Sequence, residues 1–156
     1  MLNVFLSHAV LDESMARLFK TEVEATRKAT VYLAVDDVEP GAALVEEITK
    51  AIGNSDAFVV LVTRQSQYRP WVNQEIGIAK GKSKLIFPLV EAGVDVSEYG
   101  VLAGIKYVSV DPADPSGAVA SLSALISKRS LAKDLQELGA ILVLVGVLIF
   151  LGGQTD

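Results

Sequence analysis

The sequence predicts an α/β fold in which five parallel strands form a doubly wound sheet with helices on both faces. Short apolar runs alternate along the chain with segments whose apolar residues recur at helical spacing, as is typical of β–α–β units. One run, residues 57–62, is apolar at every position, as expected of a strand covered on both faces. The length of 156 residues suits one such domain with an appendage.

The five predicted strands occupy residues 4–6, 30–35, 57–62, 85–90 and 107–110. The first is short and apolar, the second is rich in β-branched residues, and the third is the fully apolar run. The fourth contains Pro88, which cannot donate to a ladder and so predicts an edge position or a bend. The fifth follows an irregular segment, 91–104, that is punctuated by glycines.

Helices are predicted between the strands. Asp12 can cap the first helix, and Gly53 with Asn54 would stop the second. The third begins at Pro70, because the missing N–H of proline is not needed in a first turn, and it ends near Gly81. Apolar residues within 119–126 predict a last helix.

Trp71 and Glu75 are four residues apart on the third helix and therefore share a face. At about 100° per residue, Glu75 falls about 60° from the centre of the apolar stripe. A carboxylate on this shoulder is costly to desolvate unless it borders a polar cleft. On the helix alone, a surface glutamate that follows a core tryptophan is the simpler interpretation.

Composition excludes several classes of function. The net charge of −5 argues against a general nucleic-acid binder. The absence of cysteine excludes disulfides, thiolate metal sites and cysteine nucleophiles, and a single histidine, His8, leaves no histidine-rich metal site. No metal or bound cofactor is therefore expected. The sequence also lacks a dinucleotide-binding glycine motif, a Walker A lysine motif and a recognisable signal peptide.

Polar residues follow three of the predicted strands, at the sheet edge where ligands bind in such folds. Ser7 and His8 follow the first strand, but neighbours on an extended backbone point to opposite faces and so make a poor nucleophile–base pair. The end of the third strand lacks the aspartate of phosphoacceptor domains. A single carboxylate, Glu75, over a polar crevice suits chemistry through an oxocarbenium-like state. The remaining residues of this crevice are Asp36, Asp37, Glu39 and the segment 63–66.

The end of the chain has a different composition. An uncharged run begins at Leu138 and ends at Gly153, and basic residues lie before it. We expect residues 131–156 to form a hydrophobic helix that anchors a cytoplasmic domain, residues 1–130, to a membrane. The alternative is a cytoplasmic protein whose tail is buried in an oligomer.

Five segments in order resemble the Toll/interleukin-1 receptor (TIR) domain over residues 2–111. They are Phe5 to His8 with Asp12, the loop 36–41, the passage 51–62, the W-x-x-x-E segment from Trp71 to Glu75, and the strand 86–90 with its proline. The resemblance implies a flavodoxin-like TIR fold and an NAD⁺ glycohydrolase or cyclase, with NAD⁺ as substrate. It also implies self-association through TIR–TIR contacts. Where some NAD-cleaving members carry basic residues after the first strand, this chain has His8-Ala9-Val10.

Carried over by position, the resemblance makes Glu75 catalytic. The implied substrate-binding residues are Phe5, Ser7, His8, Asp36, Asp37, Glu39 and Trp71. The expected role is signalling or antiviral defence. Two alternatives stay open: a non-catalytic TIR adaptor that signals by assembly at a membrane, and a related glycosidase of nucleosides or nucleotides.

Overall fold

The computed structural model describes residues 1–34, 41–66 and 69–152. Five strands are present in this part: β1 Leu2–Ser7, β2 Ala29–Leu33, β3 Ala57–Val62, β4 Leu85–Glu91 and β5 Val108–Val110. The helices are α1 Glu13–Ala25, α2 Ala42–Asn54, α3 Pro70–Gly81 and α4 Ser116–Gly152. Short 3₁₀ turns lie at Val10–Asp12, Val96–Glu98 and Gly100–Leu102.

The strands form one sheet in the order β2-β1-β3-β4-β5, and every neighbouring pair is parallel. The predicted five-stranded parallel sheet is therefore confirmed. All six residues of β3 are buried, as its uninterrupted apolar sequence predicts. β5 pairs only with the last three residues of β4, beginning at Leu89, so Pro88 lies just before this pairing starts. This position explains how an inner strand accommodates a proline.

Each face of the sheet carries its own core, because successive strand residues point to opposite sides. On one face, Leu6 and Leu61 pack with residues of α1 and α4, and we call this cluster the α1–α4 core. On the other face, Phe5 and Phe58 pack with residues of α2 and α3, which form the α2–α3 core. The third helix has the bounds that Pro70 and Gly81 predict.

The last helix differs from the prediction. Instead of a short helix over 119–126 and a separate tail helix, α4 runs without interruption across the predicted boundary between residues 130 and 131. The physical reason is that no glycine or proline occurs from residue 118 to residue 138. Leu131, Leu135 and Leu138 are more than half exposed on this helix.

A membrane anchor is predicted from the apolar run at 138–153. Within the ranges that the structure describes, no helix combines the length and the apolar character needed to cross a membrane.

Candidate active site

Buried polar side chains gather at the carboxyl ends of β1 and β3 and at the start of α3. In the described ranges this group comprises Ser7, His8, Asp12, Thr63, Ser66 and Glu75. Buried polar groups need hydrogen-bonding or charged partners, so their concentration at one sheet edge requires an explanation. This edge is also where ligands bind in parallel α/β folds.

Glu75 lies one and a half turns into α3, which begins at this edge because it follows β3. Its side chain is 0% exposed, whereas the sequence predicts a position on the shoulder of the buried stripe. A pattern read from α3 alone does not include the elements that pack beside this helix, among them α2. Trp71, one turn earlier, is half-buried against the α2–α3 core. The structure therefore places a deeply buried carboxylate on the helix with the W-x-x-x-E segment.

A row of three aromatic rings crosses the sheet on the α2–α3 side. The Phe5 ring stacks on Tyr32 with centroids 5.4 Å apart and on Phe58 with centroids 5.5 Å apart. Burial raises the pKa of the Tyr32 phenol, and the charges of Glu47 and Glu75 raise it further. Glu75 therefore lies within electrostatic reach of this row and on the same face of the sheet.

Phe5 and Ser7 occupy this same face. Phe5 is fully buried, and its predicted substrate contact stays a prediction. Ser7 is aligned with Val60 of the α2–α3 core and is two residues from Phe5, which places it on the Glu75 side. The buried Ser7 hydroxyl makes no hydrogen bond within the described part of the chain. It is thus a polar group available to a ligand at this edge.

His8 is directed away from Glu75. It is almost completely buried, and the charged side chains that act on its ring, Glu13 and Arg17, belong to α1. Burial lowers the pKa of His8 below 6.5; the Leu6 backbone and Glu13 oppose this shift, and Arg17 adds to it. The imidazole is therefore neutral at neutral pH. The structure brings His8 to the predicted edge but on the α1 side, as strand alternation requires.

Asp12 has a role that the sequence does not reveal. The predicted cap is wrong, because the Asp12 side chain makes no capping hydrogen bond to α1. Its Oδ2 instead accepts a hydrogen bond of 2.6 Å from the Thr63 hydroxyl, across 51 residues of sequence. Burial raises the pKa of Asp12; the Thr63 hydrogen bond opposes this shift, and the charge of Glu91 adds to it. In the sequence, the only sign of this contact is a polar residue, Thr63, directly after β3.

Asp36, Asp37 and Glu39 lie outside the described residues, so their predicted substrate contacts stay predictions. Across the described ranges, no group of three or more acidic or histidine side chains is arranged to hold a metal ion. What the structure brings together on one face is Phe5, Ser7, Trp71 and Glu75. This arrangement can supply one carboxylate and one hydroxyl beside an apolar aromatic wall.

Comparison with solved structures gives matches with TM-scores above 0.5 and further matches below it. The sugar isomerase domain of an RpiR transcription factor from Sphaerobacter thermophilus matches with a TM-score of 0.57 and 13% identity, covering 89% of this chain and 77% of its own. The CMP N-glycosidase BcmB of Clostridium botulinum matches with a TM-score of 0.54 and 18% identity, covering 78% of this chain and 98% of its own. The TIR domains of the activated Roq1 resistosome have a TM-score of 0.45 and 21% identity, covering 83% and 84%.

A comparison with curated proteins gives no match. The sequence itself matches the TIR domain family over residues 4–126, which includes most of β1, all of β2 to β5 and the start of α4. With its parallel sheet and with Glu75 on the helix after β3, this chain therefore belongs to the TIR domain family.

Proposed function

We propose that this chain is a TIR-domain NAD⁺ glycohydrolase or cyclase that cleaves the nicotinamide–ribose bond, with Glu75 as the catalytic residue. The observation that carries the proposal is the complete burial of Glu75 on the helix with the W-x-x-x-E segment. A carboxylate is rarely kept in a core without a specific purpose, because its desolvation is costly. The Ser7 hydroxyl on the same face supplies a second polar group for the substrate.

In the proposed reaction, the bond between C1′ of the ribose and the nicotinamide nitrogen breaks. The bonding electron pair stays with nicotinamide, which leaves as a neutral molecule, and the ribose becomes an oxocarbenium ion. The Glu75 carboxylate hydrogen-bonds the ribose hydroxyls and stabilises this positive charge. Water then adds to C1′ and releases a proton, which gives linear ADP-ribose. Attack by the substrate's own adenine gives the cyclic product instead.

The surroundings of Glu75 support this role electrostatically. Glu75 is completely buried, on the face of the sheet that carries Phe5, Phe58 and the apolar residues of α3. A charge acts more strongly on a developing opposite charge where the local dielectric constant is low. A buried carboxylate is thus well suited to stabilise the oxocarbenium ion.

The proposal also includes self-association of the domain and a biological role. Residues 1–130 would carry the chemistry, and self-association through TIR–TIR contacts would complete the site with Asp36, Asp37 and Glu39. A TIR domain that consumes NAD⁺ on assembly would serve signalling or antiviral defence.

A second candidate is a glycosidase that acts on a nucleoside or nucleotide. The CMP N-glycosidase BcmB has the same fold, and a single carboxylate against a ribosyl cation serves either substrate. A non-catalytic adaptor is the third. In that case, Glu75 would contribute only to the packing of α3.

One experiment separates these functions. Concentrated protein is incubated with NAD⁺ or with CMP, and the released nicotinamide or cytosine is quantified by chromatography. The variant Glu75→Gln keeps the shape of the side chain and removes its charge, and Glu46→Gln, on the exposed face of α2, is the matched control. We expect nicotinamide release by the wild type and by Glu46→Gln, and a loss of about 100-fold or more in Glu75→Gln.

The other outcomes decide against the proposal in different ways. Cytosine release without nicotinamide release would identify the glycosidase. If neither nicotinamide nor cytosine is released at any protein concentration, the non-catalytic adaptor is the remaining candidate function. If Glu75→Gln turns over NAD⁺ at the wild-type rate, Glu75 is not catalytic.

A further inference from the structure

The connection from β3 to α3 is closed by an unusually dense set of hydrogen bonds. The Thr63 hydroxyl accepts the backbone N–H groups of Gln65, at 3.1 Å, and Ser66, at 3.2 Å. In return, the Ser66 hydroxyl accepts the Thr63 backbone N–H at 2.7 Å and donates to the Thr63 carbonyl at 3.1 Å. Both side chains are buried. The Thr63 and Ser66 side chains therefore close this turn by hydrogen bonds to its backbone.

The turn is tied directly to the beginning of α3. The Ser66 carbonyl accepts the backbone N–H of Arg69 at 3.0 Å, and the helix starts at the next residue, Pro70. Any shift of Thr63 is consequently transmitted through Ser66 to the first turn of α3. That first turn contains Trp71, and Glu75 lies one turn further along.

Asp12 adds a contact that the closure of the turn does not need. Its carboxylate accepts a short hydrogen bond of 2.6 Å from the Thr63 hydroxyl, and Asp12 is only 7% exposed. Burial of a carboxylate is costly, and a hydrogen bond from a hydroxyl to a charged oxygen is among the stronger ones. The result is a bond between the start of α1 and the β3–α3 connection, two segments that are far apart in sequence.

We propose that Asp12 is a positioning residue, which acts through Thr63 to fix the start of α3 and so the placement of Trp71 and Glu75. The structural part of this inference stands on the hydrogen bonds alone, and its catalytic part rests on the proposed function. Arg69 and Glu75 are six residues apart, or about 9 Å along the helix axis. A misplacement of about 1 Å at a reacting group can lower a rate by about 100-fold.

The test uses Trp71, the only tryptophan in the sequence, as a probe of the first turn of α3. Thr63→Val removes the hydroxyl at nearly constant volume, Thr63→Ser keeps it, and Asp12→Ala removes the acceptor. Ser55→Ala is the matched control. Ser55 is also buried, and its hydroxyl donates to the Ile52 carbonyl at 2.8 Å, at the opposite edge of the sheet. Urea denaturation first establishes the conditions in which each variant is folded.

For the folded variants, we expect Thr63→Val and Asp12→Ala to red-shift the Trp71 emission and to increase its quenching by acrylamide. Thr63→Ser should restore the wild-type spectrum. Ser55→Ala should leave the spectrum unchanged, even if it lowers the free energy of unfolding by as much as Thr63→Val does. In the Thr63→Val background, Asp12→Ala should cause no additional shift of the Trp71 emission, because the Asp12–Thr63 bond is already absent there. If Asp12→Ala leaves Trp71 unchanged, or if Ser55→Ala shifts it equally, the proposal is wrong.

NAD⁺ turnover supplies the second readout. We expect kcat to fall by about 10- to 100-fold in Thr63→Val with little change in KM, and to recover in Thr63→Ser. A normal kcat together with a shifted Trp71 would overturn the catalytic part. If the wild type releases no nicotinamide, the proposed function fails, and the fluorescence comparison still decides the positioning role of Asp12.

Discussion

Replacement of Phe5 by leucine tests whether this residue is a structural part of the α2–α3 core or a contact for substrate. The ring stacks on Tyr32 and on Phe58, and the two interplanar angles of 23° and 11° indicate offset stacking. Each aromatic pair contributes about 0.5–1.5 kcal/mol beyond the area it buries. Phe5→Leu keeps most of the apolar volume and loses both pairs, so we expect a loss of about 1–3 kcal/mol in the free energy of unfolding.

For a chain of this size, 1 kcal/mol corresponds to about 2–4 °C in Tm, so the variant should melt about 2–12 °C lower. Tyr32→Leu loses one pair at a position that is 44% exposed, and it should cost about 0.5–1.5 kcal/mol. Each single variant loses the Phe5–Tyr32 contact, and the double variant loses it only once. A double-mutant cycle should therefore give a coupling energy of about 0.5–1.5 kcal/mol. Urea denaturation monitored by circular dichroism supplies all four free energies.

Two results would refute this reasoning. A coupling energy near zero would show that the Phe5–Tyr32 contact does not stabilise the fold. An unchanged free energy of unfolding with a raised KM for NAD⁺, measured where the variant is fully folded, would show that Phe5 contacts substrate instead.

Two further predictions concern charged groups. Burial raises the pKa of Asp12, so its carboxylate costs stability above the folded-state pKa, and that cost disappears as the pH falls through this pKa toward the ordinary value of 3.8. In urea denaturation between neutral pH and about pH 4, the wild type should therefore gain stability relative to Asp12→Asn; a relative loss would contradict the raised pKa. Lys84 donates to two carbonyl groups at the end of α2, at 2.6 and 2.7 Å, so Lys84→Met should lower the free energy of unfolding by about 1–3 kcal/mol. Lys80→Met, at an exposed position on α3, is its control, and equal losses in the two variants would rule out the capping role.

The sheet and the third helix could be predicted because their signals are local. The apolar run of β3 predicts burial on both faces, and Pro70 and Gly81 mark the ends of α3 without reference to the rest of the fold. The continuity of α4 is not predictable from composition, because the change to an uncharged apolar run suggests a structural boundary. Composition can change while the backbone remains helical, and no residue near position 130 breaks the helix.

The candidate site was predictable only where a motif marked it. The spacing of Glu75 to Trp71 marks the residue, but its full burial depends on the elements packed beside α3, which no pattern within α3 reveals. The Asp12–Thr63 hydrogen bond joins residues 51 positions apart, and a capping position before α1 gave Asp12 a simpler local interpretation. The sequence predicts the edge at which His8 lies. Its side chain faces α1 because side chains of consecutive residues on an extended backbone, here Ser7 and His8, point to opposite faces.

The strand order has a consequence for synthesis of the chain on the ribosome. β1 is an inner strand, and its partner on one side, β3, ends at Val62, 55 residues after the end of β1 at Ser7. At about 5–20 residues per second, β1 waits about 3–11 s before that partner has been synthesised. During this interval, the described elements that can cover its apolar residues are α1, β2 and, once residue 54 has been added, α2. Nascent chains halted between these two points should therefore bind chaperones more strongly than chains that extend beyond β3.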